Sequence, residues 1–168
     1  MPLLARLCLA LAVLGTAAPA LAKGYARLGT MYNSTESGVE GSTGKSSKMN
    51  LELGAGWVGS SGWSLGALYA QETQSSAGQD TLSQSGTGLT GGWIAGDDGF
   101  YGLLTYFLSL SRGSEKGTGL QVDLGYKFKA GKMSFAPQLS YRDFKFGNSS
   151  PKSISKTVSP LFVFWVDF

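Results

Sequence analysis

Residues Val158 to Phe168 read V-S-P-L-F-V-F-W-V-D-F, and this stretch decides the fold. Successive side chains of an extended strand point to opposite sides, so alternate residues share one face. One face of the stretch is apolar throughout and consists of Val158, Pro160, Phe162, Phe164, Val166 and Phe168. The pattern predicts a strand whose apolar face lies against either the core of a soluble protein or surrounding lipid.

The same alternation recurs in eight segments of roughly ten residues between Tyr25 and Phe168. The clearest segment places Met49, Leu51, Leu53, Ala55 and Trp57 opposite Lys48, Asn50, Glu52, Gly54 and Gly56. Small residues concentrate on the polar faces, and eight tilted strands enclose an interior only wide enough for side chains. We therefore predict an all-β fold, an eight-stranded antiparallel transmembrane up-and-down β-barrel, with the polar faces inside.

The fifth segment, Phe100 to Leu110, is ambiguous because both of its faces are apolar. Glycines elsewhere fall on the polar faces, so we expect Gly102 to face inward as well. This choice predicts an outward face of Tyr101, Leu103, Thr105 and Phe107.

The connections between the segments alternate in length. Three are short, namely Val58–Gly62, Ala95–Gly99 and Lys129–Lys132, and four are longer and polar, namely Asn33–Ser47, Thr73–Asp80, Ser111–Gly117 and Gly147–Lys156. Outer-membrane barrels have short periplasmic turns and longer external loops. Both ends of the barrel chain are therefore predicted to be periplasmic.

Aromatic residues are predicted to form two belts at the membrane interfaces. One belt lies near the short connections and contains Trp57, Trp63, Trp93, Tyr101 and Phe135. The other lies near the long connections and contains Tyr32, Tyr69, Phe107 and Tyr141.

The first 22 residues predict a cleavable signal peptide. A single positive charge before Leu7 is followed by an apolar run to Leu14, and Ala20-Leu21-Ala22 forms a small-residue cleavage site before Lys23. Cys8, the only cysteine, lies in this run. We expect residues 23–168 to form the barrel domain of an exported protein.

In pattern, length and terminal aromatic, the chain resembles the small eight-stranded outer-membrane barrels of the OmpX and OmpA transmembrane-domain type. The resemblance implies a monomer in the outer membrane of a Gram-negative bacterium. It also implies insertion by the barrel-assembly machinery, which would read Phe164, Val166 and Phe168 as a C-terminal signal. Outer-membrane lipid and lipopolysaccharide are the partners that it implies.

Six charged residues are predicted to face the lumen, namely Arg27, Lys48, Glu52, Glu72, Asp123 and Arg142. Unpaired charges in a narrow interior are costly, so we expect these groups to pair. Counting along the segments places Arg27, Glu52 and Asp123 at mid-membrane depth and the other three near the external rim. The network could act as an electrostatic gate or simply as an internal set of bridges.

Several function classes are disfavoured. Enzymes built on such barrels resemble one another in using a histidine near one rim, and this sequence has no histidine. We expect no enzyme activity, no cofactor and no metal site, since residues 23–168 lack both histidine and cysteine. The formal charge of +3 is too small to indicate nucleic-acid binding.

Three roles remain, of which the least favoured is an enzyme with an unrecognised site. The first is a structural or surface-interaction barrel with a side-chain-filled lumen. The alternative is an OmpW-like conduit for small hydrophobic solutes, supported by apolar residues predicted to face inward, namely Leu68, Leu104, Tyr106, Leu108, Leu161, Val163 and Trp165.

Basic residues lie in or beside the four long connections. They are Lys45, Arg112, Lys116, Lys145, Lys152 and Lys156, partly offset by Glu36, Glu40, Asp80 and Glu115. Ammonium and guanidinium groups bind phosphates by charge-assisted hydrogen bonds. The pattern is typical either of a surface that binds lipopolysaccharide phosphates or of an ordinary solvated rim.

Overall fold

A computed structural model describes residues 23–39, 42–76, 81–147 and 153–168 of the chain. The strands are β1 (Lys23–Val39), β2 (Ser42–Val58), β3 (Trp63–Ser76), β4 (Leu82–Ile94), β5 (Gly99–Arg112), β6 (Glu115–Ala130), β7 (Met133–Phe146) and β8 (Ser153–Asp167). They pair in chain order, all antiparallel, and β8 pairs with β1 to close the barrel. The predicted eight-stranded antiparallel up-and-down barrel is confirmed. The predicted signal peptide, residues 1–22, lies outside the described residues.

The strands bury one face and expose the other. On β8, Leu161, Val163 and Trp165 are buried, whereas Phe162 and Phe164 are exposed. The apolar face of the opening stretch is therefore the outside of the barrel. We call the outward side chains of β1 to β8 the outer wall. An apolar wall of this extent is unfavourable in water and requires apolar surroundings.

No helix in the described part of the chain is both long and apolar enough to cross a membrane.

The strands continue farther than the sequence predicts. The segment Asn33–Ser47, expected to be a loop, belongs mostly to β1 and β2. The segment Ser111–Gly117 is reduced to a tight turn in which Gly113 has a φ of +59°, a conformation that favours glycine. We call the part of the outer wall that carries apolar side chains the apolar belt. These stretches lack the apolar alternation because the strands extend past this belt. Their polar composition predicts loops, although the backbone hydrogen bonds between the strands continue through them.

The predicted facing of the fifth strand is wrong. Phe107 has no exposed surface, whereas its neighbour Leu108 is 61% exposed. The inward side chains of β5 are Tyr101, Leu103, Thr105 and Phe107, and the outward ones include Leu104, Tyr106 and Leu108. The inward residues have partners in the lumen, since Thr105 Oγ1 lies 2.7 Å from Thr90 Oγ1. Gly102 therefore lies on the outer wall, and the expectation that glycines face inward is wrong for this strand.

The barrel closes at the final residue. Gly24 N–H donates to the Phe168 carbonyl at 2.7 Å, and Phe168 N–H donates back to Gly24 at 2.9 Å. From this pair the seam between β1 and β8 continues only to Thr30 opposite Phe162. We call the β1 end of the barrel that contains Gly24 and Phe168 the near end, and the opposite end the far end.

Pro160 accounts for the end of the seam. In an antiparallel pair, every second residue turns its N–H and C=O toward the same neighbour. Counting back from Phe168, residues Phe162 and Pro160 turn toward β1, and proline has no N–H to donate. Pro137 has the same effect on β7, because the register between β6 and β7 is interrupted opposite it.

We predict that deleting Phe168 removes both hydrogen bonds of the closing pair. The loss should lower the free energy of unfolding by about 1 to 3 kcal/mol and reduce the yield of folded, heat-modifiable protein. Replacing Phe168 with Leu keeps the backbone pair and is the matched control. Equal yields from wild type and the deletion variant would contradict the role given to this pair.

Candidate functional site

The barrel interior contains the six charged residues predicted to face it. Glu52 and Asp123 have no exposed surface, and Arg27, Arg142 and Glu72 are also buried. Each lies on the inward face of its strand, because polar side chains alternate along the strand with the apolar side chains of the outer wall. Room for them comes from missing side chains: a Cβ at Gly54 would lie only 2.8 Å from two Arg27 atoms.

Arg27 pairs mainly with Asp123. Its Nη2 donates to Asp123 Oδ2 at 2.9 Å, and its Nη1 donates to Gln138 Oε1 at 3.1 Å. Glu52 is farther away, with 4.0 Å between Arg27 Nη2 and Glu52 Oε2. The guanidinium therefore joins β1 to β6 and β7 across the lumen.

Arg142 joins the mid-lumen charges to those near the far end. Its Nη2 donates to Glu52 Oε1 at 2.8 Å, and its Nη1 donates to Glu72 Oε2 at 3.1 Å. Glu72 Oε1 in turn lies 3.0 Å from Lys48 Nζ. The count along the strand placed Arg142 at the external rim, but its long side chain reaches the middle of the barrel. All six residues thus belong to one connected network of three cations and three carboxylates.

Neutral polar side chains complete the network, and sequence reasoning did not identify them as part of it. Gln121 donates to Glu52 at 2.6 Å and to Asp123 at 2.8 Å, and it accepts from Arg142 Nε at 2.9 Å. Ser140 donates to Asp123 Oδ1 at 2.7 Å, and Asn50 accepts from Arg142 at 2.9 Å. All of them occupy inward positions by strand alternation, which was the available signal.

Two apolar clusters flank the network. The near-end cluster is made of Tyr25, Ile94, Tyr101, Leu103, Ala136, Leu161, Val163 and Trp165. The far-end cluster is made of Leu68, Ala70, Phe107, Leu110, Phe144 and Phe146. Arg27 links the charges to the first cluster, since its guanidinium carbon lies 5.6 Å from the Trp165 ring centre. Apolar side chains thus lie on both sides of the charged network, and each charge in the network has a partner.

The near-end rim carries a second group of ion pairs. Asp97, in the turn between β4 and β5, accepts from Lys129 at 2.6 Å and from Lys23 at 3.3 Å. These hydrogen bonds hold the pKa of Asp97 below its ordinary value. Lys127 pairs with Asp167 at 2.6 Å beside a recess of about 150 Å³. The rim pairs tie together turns and strand ends that are distant in sequence.

Most of the predicted belt aromatics lie on the outer wall. Trp63, Trp93, Phe135, Tyr32 and Tyr141 are exposed, and Trp57 and Tyr69 are partly buried. The prediction that Tyr101 and Phe107 belong to the belts is wrong, because both rings lie inside the barrel. Inside, the Tyr101 hydroxyl donates to Gln138 at 2.9 Å.

The residues expected to form the C-terminal signal, Phe164, Val166 and Phe168, all point outward.

Among the residues that the structure describes, no three His, Cys, Asp or Glu side chains form a group that could hold a metal ion.

We predict that replacing Glu52 with Ala destabilises the barrel by about 3 to 5 kcal/mol, because Arg142 and Arg27 lose a buried counter-charge. Unfolding by urea in lipid vesicles measures the change. The control is Glu115→Ala, which removes an exposed pair with Arg112 at 2.7 Å and should cost about 1 kcal/mol or less. Similar decreases in the free energy of unfolding of the two variants would show that the buried network contributes no more to stability than the exposed pair.

We predict that Asp97 contributes stability that is lost in acid. Its folded pKa is lowered, so the contribution is present above the ordinary carboxylate pKa and disappears as the pH falls through the folded value. The stability difference between wild type and Asp97→Asn should therefore shrink on acidification. Asp98→Asn, a change at the exposed neighbouring position, is the control. A difference that stays constant with pH would rule out the rim pairing as its source.

No protein-family model and no curated protein sequence matches this chain. Among solved structures, the outer membrane protein Ail of Yersinia pestis aligns with 87% of this chain and 99% of its own, at 12% identity and a TM-score of 0.53. The β domain of the Bordetella autotransporter BrkA aligns with 86% of this chain and 70% of its own, at 15% identity and a TM-score of 0.38. With its closed eight-stranded architecture, the chain has the fold of a small outer-membrane β-barrel.

Proposed function

We propose that the protein is an integral outer-membrane barrel with a structural or surface-interaction role and a closed lumen. One observation carries this proposal. Across the middle of the barrel, Glu52, Asp123, Gln121 and Ser140 have no exposed surface at all. A water-filled passage would leave exposed surface on the side chains that line it.

The network opposes ion passage in a second way. Its three cations and three carboxylates are matched within hydrogen-bonding distance, so an entering ion meets no unpaired counter-charge. Opening a path would require separating pairs such as Arg142 and Glu52, joined at 2.8 Å, and each separated charge would remain desolvated. The geometry favours a stable network of internal salt bridges over an electrostatic gate that opens readily.

The OmpW-like alternative receives less support than the sequence indicated. Three of the apolar residues expected inside belong instead to the outer wall, namely Leu104, Tyr106 and Leu108. The other four, Leu68, Leu161, Val163 and Trp165, are buried within the two apolar clusters. An apolar solute would have to displace these packed side chains.

We infer the environment from the outer wall. Exposed apolar side chains encircle the barrel, which suits the lipid of a Gram-negative outer membrane. The near end would face the periplasm and the far end the exterior. Phe164, Val166 and Phe168 would be read by the barrel-assembly machinery, and the protein would act as a monomer in contact with lipopolysaccharide.

An enzymatic role is not part of the proposal. The carboxylates of the lumen are held by arginine or lysine and have almost no surface accessible to a substrate. A general acid or base must reach its substrate within hydrogen-bonding distance. The far ends of the strands, which extend past the apolar belt, are the surfaces left for interaction.

We predict that the purified protein shows no sustained conductance in planar lipid bilayers. The variant Arg142→Ser, which removes the side chain that spans the lumen from β7 to β2, should produce frequent openings. Lys156→Ser on the outer wall is the control and should stay silent. Steady conductance by wild type, or an apolar molecule retained by the purified barrel, would overturn the closed-lumen proposal.

A further inference from the structure

The far end of the outer wall is unevenly charged. On β6, β7 and β8, outward positions are occupied by Lys116, Lys145 and Lys156, all exposed. On β1 to β4, the outward far-end positions hold mostly hydroxyl residues, namely Ser34, Ser47, Ser75, Ser83 and Ser85, with Lys45 among them. Among the side chains that the structure describes on these strands, the outward positive charge is therefore concentrated on β6 to β8.

The three lysines form an oblique row, which we call the lysine row. Lys145 lies opposite Thr118 on β6 and opposite Ile154 on β8. Lys116 and Lys156 are each two residues from these partners, so both are diagonal neighbours of Lys145, at about 7 to 8 Å between backbones. Neighbouring ammonium groups in the row can thus approach one multivalent anion together.

Asp143 lies within the row. It is opposite Lys156, with 3.9 Å between Lys156 Nζ and Asp143 Oδ2. Its other oxygen, Oδ1, is shielded from solvent and has no hydrogen-bond partner in the described structure. A buried carboxylate oxygen without a donor is unfavourable, and a turn of the Asp143 side chain would let a hydroxyl or amide N–H of a bound molecule donate to it.

An apolar surface lies directly below the row. Leu120 is opposite Asp143, and Tyr141 is opposite Val158. All three of Leu120, Tyr141 and Val158 are exposed on the outer wall. The combination suits an amphiphile whose charged headgroup meets the lysines while its acyl chains cover the wall.

The charge count indicates the headgroup. Three lysines and one aspartate leave a net charge of +2 at the boundary of the apolar belt, where uncompensated charge is costly. A phosphate diester carries a single negative charge and would leave half of it uncompensated. A sugar headgroup with two phosphate monoesters carries about 3 to 4 negative charges near pH 7, which is enough to compensate the whole row, and its hydroxyl or amide groups could donate to Asp143.

We propose that the lysine row binds the phosphates of an outer-leaflet glycolipid that carries at least two phosphate groups, as lipopolysaccharide does. This inference rests on the proposed function, because the far end must face the exterior of the cell. It adds a defined site on β6 to β8 to the general contact with lipid.

The test titrates folded protein in detergent micelles with purified lipopolysaccharide and, separately, with phosphatidylglycerol at equal phosphate concentration. The triple variant Lys116→Gln, Lys145→Gln, Lys156→Gln should bind lipopolysaccharide about tenfold to a hundredfold more weakly than wild type. The control Lys45→Gln removes the same type of charge from β2 and should change binding less than about twofold.

Two results would overturn the inference: unchanged lipopolysaccharide binding by the triple variant, or an equal loss in Lys45→Gln. Phosphatidylglycerol binding as tight as that of lipopolysaccharide would overturn the glycolipid assignment. The proposed function is checked separately by heat-modifiable folding and bilayer conductance. A triple variant that is folded and silent yet weak in binding supports both statements.

Discussion

The rest of the structure depends on the buried pairing of Glu52 with Arg142 and of Asp123 with Arg27. Eight strands enclose an interior that is just wide enough for side chains to fill. A charge placed there must therefore find its partner among the other strands. The pairs connect β1, β2, β6 and β7 across the lumen, so they constrain strands that are far apart around the barrel wall.

The barrel reverses the usual distribution of polarity. Its outer wall is apolar and its center is ionic, with an apolar cluster toward each end. In such a fold the surrounding lipid satisfies the outer wall, and the interior must satisfy itself. This explains why neutral side chains such as Gln121 and Gln138 are needed: each supplies donors and acceptors that the charged groups leave unmatched.

Much of the fold could be predicted from the period-2 pattern, because lipid contact imposes it on every strand. The pattern does not identify a strand, or the facing of a strand, where apolar and polar residues do not alternate. At their far ends β1 and β2 lack the apolar alternation in sequence, and the sequence therefore predicts a loop there. On β5 both faces are apolar, one toward lipid and one toward the packed clusters, so alternation alone could not assign Tyr101 and Phe107. The inward position of Arg142 was predictable, whereas its reach to Glu52 depends on side-chain length and register.

A closed lumen requires that the middle of the barrel be inaccessible to water. Cys8 is the only cysteine in the sequence and lies in the predicted signal peptide, so a single new thiol can report on this claim. Ser140→Cys places a thiol of similar size at a fully buried position of the network, and Ser114→Cys places one in an exposed turn. With a small water-soluble thiol reagent, we expect rapid labelling at position 114 and labelling at position 140 only after unfolding. Equal labelling rates in the folded protein would contradict a closed lumen.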